Sequence, residues 1–186
     1  MTAKTSQKVF QRFTAVDLVT IAVFAALYRA MWYVWNVFSF AFPFNQVINT
    51  FFGVLCTIAA LVIVRKVGTA TLFQIAAMLI NVLVQGEVFS VALWGCTTGL
   101  LADIYSYLIL TSGTDPFASL RHMTIAGALT AFLYNFNLWI VMMTFLYKVS
   151  MPTQIVASVF ILGTITGIIG GVVGFFLGDR IKGLIG

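Results

Sequence analysis

Charge is what this sequence has least of: 8% of its 186 residues are charged, and five of them are acidic. Histidine occurs once, cysteine twice and proline three times. Each shortage excludes a class of function. A soluble domain carries about a quarter charged residues, so a chain that is 61% hydrophobic with a mean hydropathy of +1.06 belongs in a membrane. A single histidine leaves no His-Glu-x-x-His pair and no Ser-His couple, and no Gly-x-Ser-x-Gly elbow occurs. The acidic residues sit mostly at helix ends, which provides no carboxylate cluster for a metal-dependent lipid transferase. Without a Gly-x4-Gly-Lys-Ser/Thr loop, the chain is not expected to hydrolyse ATP by itself. No enzyme activity, metal or cofactor is therefore expected. Cys56 and Cys96 both fall in apolar runs and read as small buried hydrophobes, with no disulfide signature.

What is present is a series of apolar stretches of about 18 or more residues. They predict an all-α, polytopic membrane protein of six transmembrane helices, at about 17–39, 47–64, 68–85, 88–110, 122–147 and 152–178. Residues 1–186 then form a single integral membrane domain. The first helix reads as retained, because Met1 to Phe13 holds Lys4, Lys8 and Arg12 but no short apolar core with a cleavage site. With a cytoplasmic N-terminus, Lys4, Lys8, Arg12, Arg65, Lys66, Arg121, Arg180 and Lys182 fall inside and only Lys148 outside. Positive residues favour the cytoplasmic side, so both ends are expected there. The net charge of +5 comes from basic residues scattered singly or in pairs, which are topology signals rather than a nucleic-acid surface.

Two ionisable residues lie within spans, Arg29 and Asp103. At ~1.5 Å per residue, Arg29 is about 18 Å in from Asp17 and Asp103 about 10 to 12 Å in from Leu110. An ion pair between them, direct or bridged by water, is the expectation. Around Arg29 runs an alanine ladder, and at ~100° per residue Ala22, Ala25, Ala26, Arg29, Tyr33 and Asn36 share one face while Phe24, Trp35 and Phe38 point elsewhere. That face should meet protein, because a guanidinium facing hydrocarbon costs at least a few kcal/mol.

The predicted topology gathers polar side chains on one side. All six asparagines (Asn36, Asn45, Asn49, Asn81, Asn135, Asn137) fall in outer helix halves or outer turns, as do Gln46, Gln85, Glu87, Gln154 and the four tryptophans. An interfacial aromatic belt with helix caps accounts for part of this pattern, whereas Asn135 and Asn137 lie deep. A pocket for a small, partly aromatic molecule accounts for the rest. Its candidate ligand-binding residues are Trp32, Asn36, Asn49, Asn81, Glu87, Trp94, Asn135 and Trp139. Many π faces and amides with one carboxylate, Glu87, favour a neutral or mildly cationic heteroaromatic ligand. His122, beside Arg121, reads as an interfacial polar residue. Small residues also line the fourth helix (Ala92, Gly95, Gly99, Ala102, Ser106) and the last (Gly163, Gly167, Gly170, Gly171, Gly174, Gly178). Such stripes pack a bundle or dock a second membrane subunit.

Taken together, these features resemble the substrate-binding (S) components of energy-coupling factor (ECF) transporters, small six-helix vitamin-capture subunits of prokaryotic plasma membranes. The likeness covers nearly the whole chain in length and topology. Its most specific element is the ladder Ala22-x3-Ala26-x3-Ala30, and Gln85 to Tyr107, with Gly99-Leu-Leu-Ala-Asp103, looks most like the hydroxymethylpyrimidine and thiamine branch. Other S-component branches stay open. The resemblance implies that Ala22, Ala26 and Ala30 dock onto a transmembrane T component, with two cytoplasmic ATPases supplying energy, and that a vitamin or precursor is presented from outside by toppling of the subunit. The alternatives are a self-contained channel or small secondary transporter, which would favour an internal repeat, and a structural subunit without a pocket.

Overall fold

The computed structural model describes residues 12–38, 45–86, 89–150 and 152–185. Among them there is no strand. Helices α1 (Ala15–Phe38), α2 (Asn45–Val64) and α3 (Thr69–Gln85) come first. Next, α4 (Phe89–Cys96) runs through a single 3-10 turn, Thr97–Gly99, into α5 (Leu100–Thr111). After another short 3-10 turn, α6 (Leu120–Asn135) continues without a break as a π-helix, Phe136–Leu146, and α7 (Thr153–Ile185) ends the chain. Five stretches are long and apolar enough to cross a membrane: Ala15–Phe38, Asn45–Val64, Leu93–Thr111, Leu120–Phe145 and Thr153–Leu184. Helix α3, apolar over Thr69–Val84, is shorter, and its 17 residues reach about 25 Å.

Helix α2 is the hub: 72% of its apolar window is buried, against 28% for α1 and for α7. The glycines of α7 explain how it sits there. Gly170, Gly174 and Gly178 face α2, where added Cβ atoms would lie 3.0, 2.6 and 2.9 Å from the carbonyl oxygens of Phe51, Leu55 and Ala59. Gly163, Gly167 and Gly171 face α6 at Asn135, Ala131 and Thr124. Both stripes are thus filled within the chain, and the docking alternative for this glycine face falls away. Gly99 serves in the same way on the α4–α5 rod, with the backbone of Ala70 directly against it.

That close approach brings Asp103 to the start of α3. Gly68, at φ 96°, supplies no side-chain cap there, and the first amides of a helix lack intrahelical acceptors. The Asp103 carboxylate accepts from Ala70 N at 3.2 Å, Thr71 N at 2.7 Å and Thr71 Oγ1 at 2.6 Å. Arg29 meanwhile donates from Nε to Ala77 O at 3.0 Å and from a terminal nitrogen to Met78 Sδ at 3.3 Å. The expected direct ion pair between Arg29 and Asp103 therefore does not form. Capping a helix from a neighbouring helix satisfies the carboxylate without a cation.

Charges collect at the opposite end from the polar side chains discussed below. Lys66 pairs with Asp17 at 2.5 Å and donates to Arg12 O at 2.9 Å, and Arg65 pairs with Asp115. These contacts tie the start of α1, the α2–α3 turn and the α5–α6 connection together. Lys4 and Lys8 lie outside the described residues.

Helix α1 turns a different face inward from the one expected. Ile21, Phe24, Ala25, Tyr28 and Arg29 are buried, with Trp32 half-buried, whereas Ala22, Ala26 and Ala30 are exposed. The large side chains fill the space beside α2 and α3, as Tyr28 does against Phe73 and Gly53. The buried stripe therefore runs through Ile21, Phe24, Ala25 and Tyr28. Arg29 lies at its border, and the alanine ladder faces outward between Val19, Val23 and Leu27.

Candidate ligand cavity

A cavity of about 200 Å³ opens among the later halves of α1 and α3, the start of α2 and the end of α4, away from the paired charges. Its walls come from five rods: Arg29 and Trp32 of α1, Gln46 of α2, Met78 and Asn81 of α3, Gly95 and Thr98 of the α4–α5 rod, and Tyr134 with the π-helical segment. The π-helix makes its wall by winding. Its backbone bonds reach five residues back, as from Tyr147 N to Met142 O at 2.8 Å, and Thr144 Oγ1 reaches Trp139 O at 3.0 Å. Side chains five apart then share a face, and Asn137, Met142 and Tyr147 all line the cavity, as do Leu138 and Met143. At α-helical pitch, residues five apart diverge by about 140°.

Amides link the rods around this space. Asn36 donates to Trp32 O at 2.7 Å and accepts from Asn45. Asn49 stands within 3.5 Å of both Asn45 Oδ1 and Gln46 Oε1, and Tyr134 donates to Gln46 at 3.3 Å. Asn137 donates to Thr97 Oγ1 at 2.8 Å and to Trp94 O at 3.1 Å, which fastens the π-helix to the α4–α5 rod. Beneath the cavity a recess of about 10 Å³, roughly one water, is bordered by Asn49, Gln74, Thr98 and Tyr134. Asn49 Oδ1 and Thr98 Oγ1 are buried there with no hydrogen-bond partner among the described residues. Buried polar atoms in native proteins nearly always have partners, and the recess beside these two has room for about one water.

Of the eight residues expected to bind ligand, the structure brings Trp32 and Asn81 to the cavity and Asn49 to the recess below it. Asn36 supports the wall through Trp32 and Asn45. The other described ones lie elsewhere. Trp94 is 43% exposed, and only its carbonyl takes part. Trp139 is buried with Val47 and Val159. Asn135 faces α7, where Gly163 leaves room for its amide and Nδ2 donates to Ala131 O at 2.8 Å. Glu87 lies outside the described residues. Conversely, Gln46 and Asn137 belong to the polar set already apparent in the sequence, whereas Met78, Thr98, Met142 and Met143 carried no signal. The Tyr105 hydroxyl lies 2.6 Å from His122 Nδ1, which ties α5 to α6 and leaves the histidine outside the cavity.

The electrostatics are one-sided. Arg29 is 3% exposed, and its guanidinium carbon stands 4.8 Å from the Tyr28 ring centre and 5.8 Å from that of Trp32. No acidic side chain is among the described residues lining the cavity. No protein-family model, curated protein or solved structure matches this chain.

Proposed function

We propose that this chain is the substrate-binding subunit of an ECF-type transporter, capturing a vitamin or vitamin precursor for import. The observation that carries the proposal is the division of α1. One edge of the helix, Arg29 and Trp32, lines an amide-bordered cavity, and the other presents Ala22, Ala26 and Ala30 at the surface. A subunit that must hold a small molecule while docked on a membrane partner needs both faces on separate surfaces. On this reading the chain spans the plasma membrane of a prokaryote six times with both ends in the cytoplasm. The T component covers the ladder, and two ATPases drive the cycle. By the sequence likeness alone, before the charge of the cavity is weighed, hydroxymethylpyrimidine and thiamine are the first candidate substrates.

Docking is tested at Ala26. Small residues let helix backbones approach closely, and Ala26 is exposed. Ala26→Trp is expected to abolish co-purification with the host's T component while the melting temperature in detergent stays within about 2 °C of wild type, an exposed substitution costing under roughly 0.5 kcal/mol. Retained association would remove the ladder from the interface.

Substrate capture is tested by mass spectrometry of small molecules released on denaturing protein gently purified from its own host. One stoichiometric vitamin-like compound is expected. Its absence, with no stabilisation by a vitamin panel, would favour a channel or a structural subunit.

A further inference from the structure

The sequence, with many π faces and amides and a single carboxylate, Glu87, favours a neutral or mildly cationic ligand. The cavity itself has the opposite polarity. We propose that the molecule bound there carries an anionic group, a carboxylate or phosphate, that pairs with Arg29; this rests on the substrate-binding reading.

Arg29 is a permanently charged group that the fold buries without a counter-ion among the described residues. Three of the four described carboxylates are committed elsewhere: Asp17 to Lys66, Asp115 to Arg65, and Asp103 to the start of α3. The fourth, Asp179, follows Gly178, which packs on Ala59 and Val62 at the far end of α2. A guanidinium carries five N–H donors in a planar fork. Here Nε–H goes to Ala77 O, and one terminal N–H points at the weak acceptor Met78 Sδ. Three N–H donors therefore have no acceptor among the described residues. The Tyr28 and Trp32 rings offset part of the charge through their π faces, but a ring supplies no in-plane acceptor for the fork.

Arg29 lines the cavity, and Met78, which its terminal nitrogen meets, lines it too, so on this proposal the remaining donors of the fork face the space a small molecule enters. An unpaired buried cation strongly favours an anion and repels a cation such as thiamine in this low-dielectric setting. A carboxylate or phosphate oxygen pair matches the terminal edge of the fork. Trp32 and Tyr134 provide faces for a ring, and Asn81, Gln46 and Asn137 provide amides for its polar edge. A volume of about 200 Å³ is below the roughly 300–1,000 Å³ of sites for drug-sized ligands, so the anion is a single ring with short substituents.

The test uses probes that differ only in the anionic group: nicotinate against nicotinamide, and hydroxymethylpyrimidine phosphate against hydroxymethylpyrimidine, with thiamine as the cation. Affinities are measured by titration calorimetry on the intact protein in an uncharged detergent. In at least one pair the anionic member is expected to bind ten-fold or more tightly than its neutral twin, and which pair responds separates carboxylate from phosphate. Arg29→Met should erase the preference, and Arg29→Lys, which keeps the charge but not the fork, should retain part of it. Tighter binding of the neutral twin or of thiamine, or a preference that survives Arg29→Met, would overturn the proposal. If no probe binds, the compound released from host-purified protein decides: an anion supports the proposal, and a neutral or cationic compound overturns it. No stoichiometric compound at all would instead sink the substrate-binding reading beneath it.

Discussion

Asp103→Ala is expected to destabilise the protein by about 3 kcal/mol, the range for hydrogen bonds to a buried charged acceptor, measured by reversible unfolding in mixed micelles. The carboxylate is 6% exposed and accepts three bonds at the start of α3. Its removal orphans two helix-terminal amides in a place where Gly68 offers no replacement cap. Asp103→Asn should cost less, since one oxygen still accepts while the new NH2 opposes an amide donor. Thr71→Val removes only the hydroxyl bond and should cost about 1 kcal/mol. The decisive comparison is a double-mutant cycle with Arg29→Met. Arg29 and Asp103 have different partners, so the two losses should add to within about 0.5 kcal/mol. A coupling above about 1 kcal/mol would mean that the two charges interact across the bundle after all.

The same residue shows why some of the molecule was legible in its sequence and some was not. Apolar run length was enough to locate every described helical rod. The pairs of Lys66 with Asp17 and of Arg65 with Asp115 were not apparent in it, because they join residues about fifty positions apart. An intramembrane carboxylate also demands a partner, but sequence spacing does not distinguish a cation from the open end of another helix. The partner turned out to be backbone, brought within reach by Gly99 one turn earlier.

Arg29 reveals a second limit. Angular spacing put it with the alanines, yet packing volume decided the inward face, and Phe24, Tyr28 and Trp32 outweigh the small residues. The cavity wall reveals a third. The polar cluster was visible as a one-sided gathering of asparagines, but depth along a span does not say which side chains share a face. From Phe136 the chain winds with five-residue bonds, which turns Trp139 into the α7 contact and presents Asn137, Met142 and Tyr147 together. Nothing in the composition of Phe136–Leu146 separates it from an α-helix.

Gly127→Leu should have the largest structural effect of any single substitution considered. Gly127 is on α6 where that helix crosses α7 beside α2. A Cβ there would lie 2.9 Å from Gly167 O, 2.9 Å from the Gly171 Cα and 3.1 Å from Val54 Cγ1. Two of these three neighbours are backbone atoms of α7, and neither can rotate away as a side chain could. Overpacking a core costs roughly 1–3 kcal/mol when side chains can adjust, so the loss here should reach or exceed the top of that range, with low yield and early aggregation in detergent. Gly127→Ala is the informative companion, because it adds only the colliding atom. It should lower stability measurably yet leave a folded protein, and probe affinity should fall less than stability does, since Gly127 is outside the cavity lining. Wild-type stability in Gly127→Ala would mean that α6 and α7 stand further apart than the glycine contacts require. A selective loss of binding without loss of stability would place this crossing in control of the cavity, through the π-helical segment that continues α6.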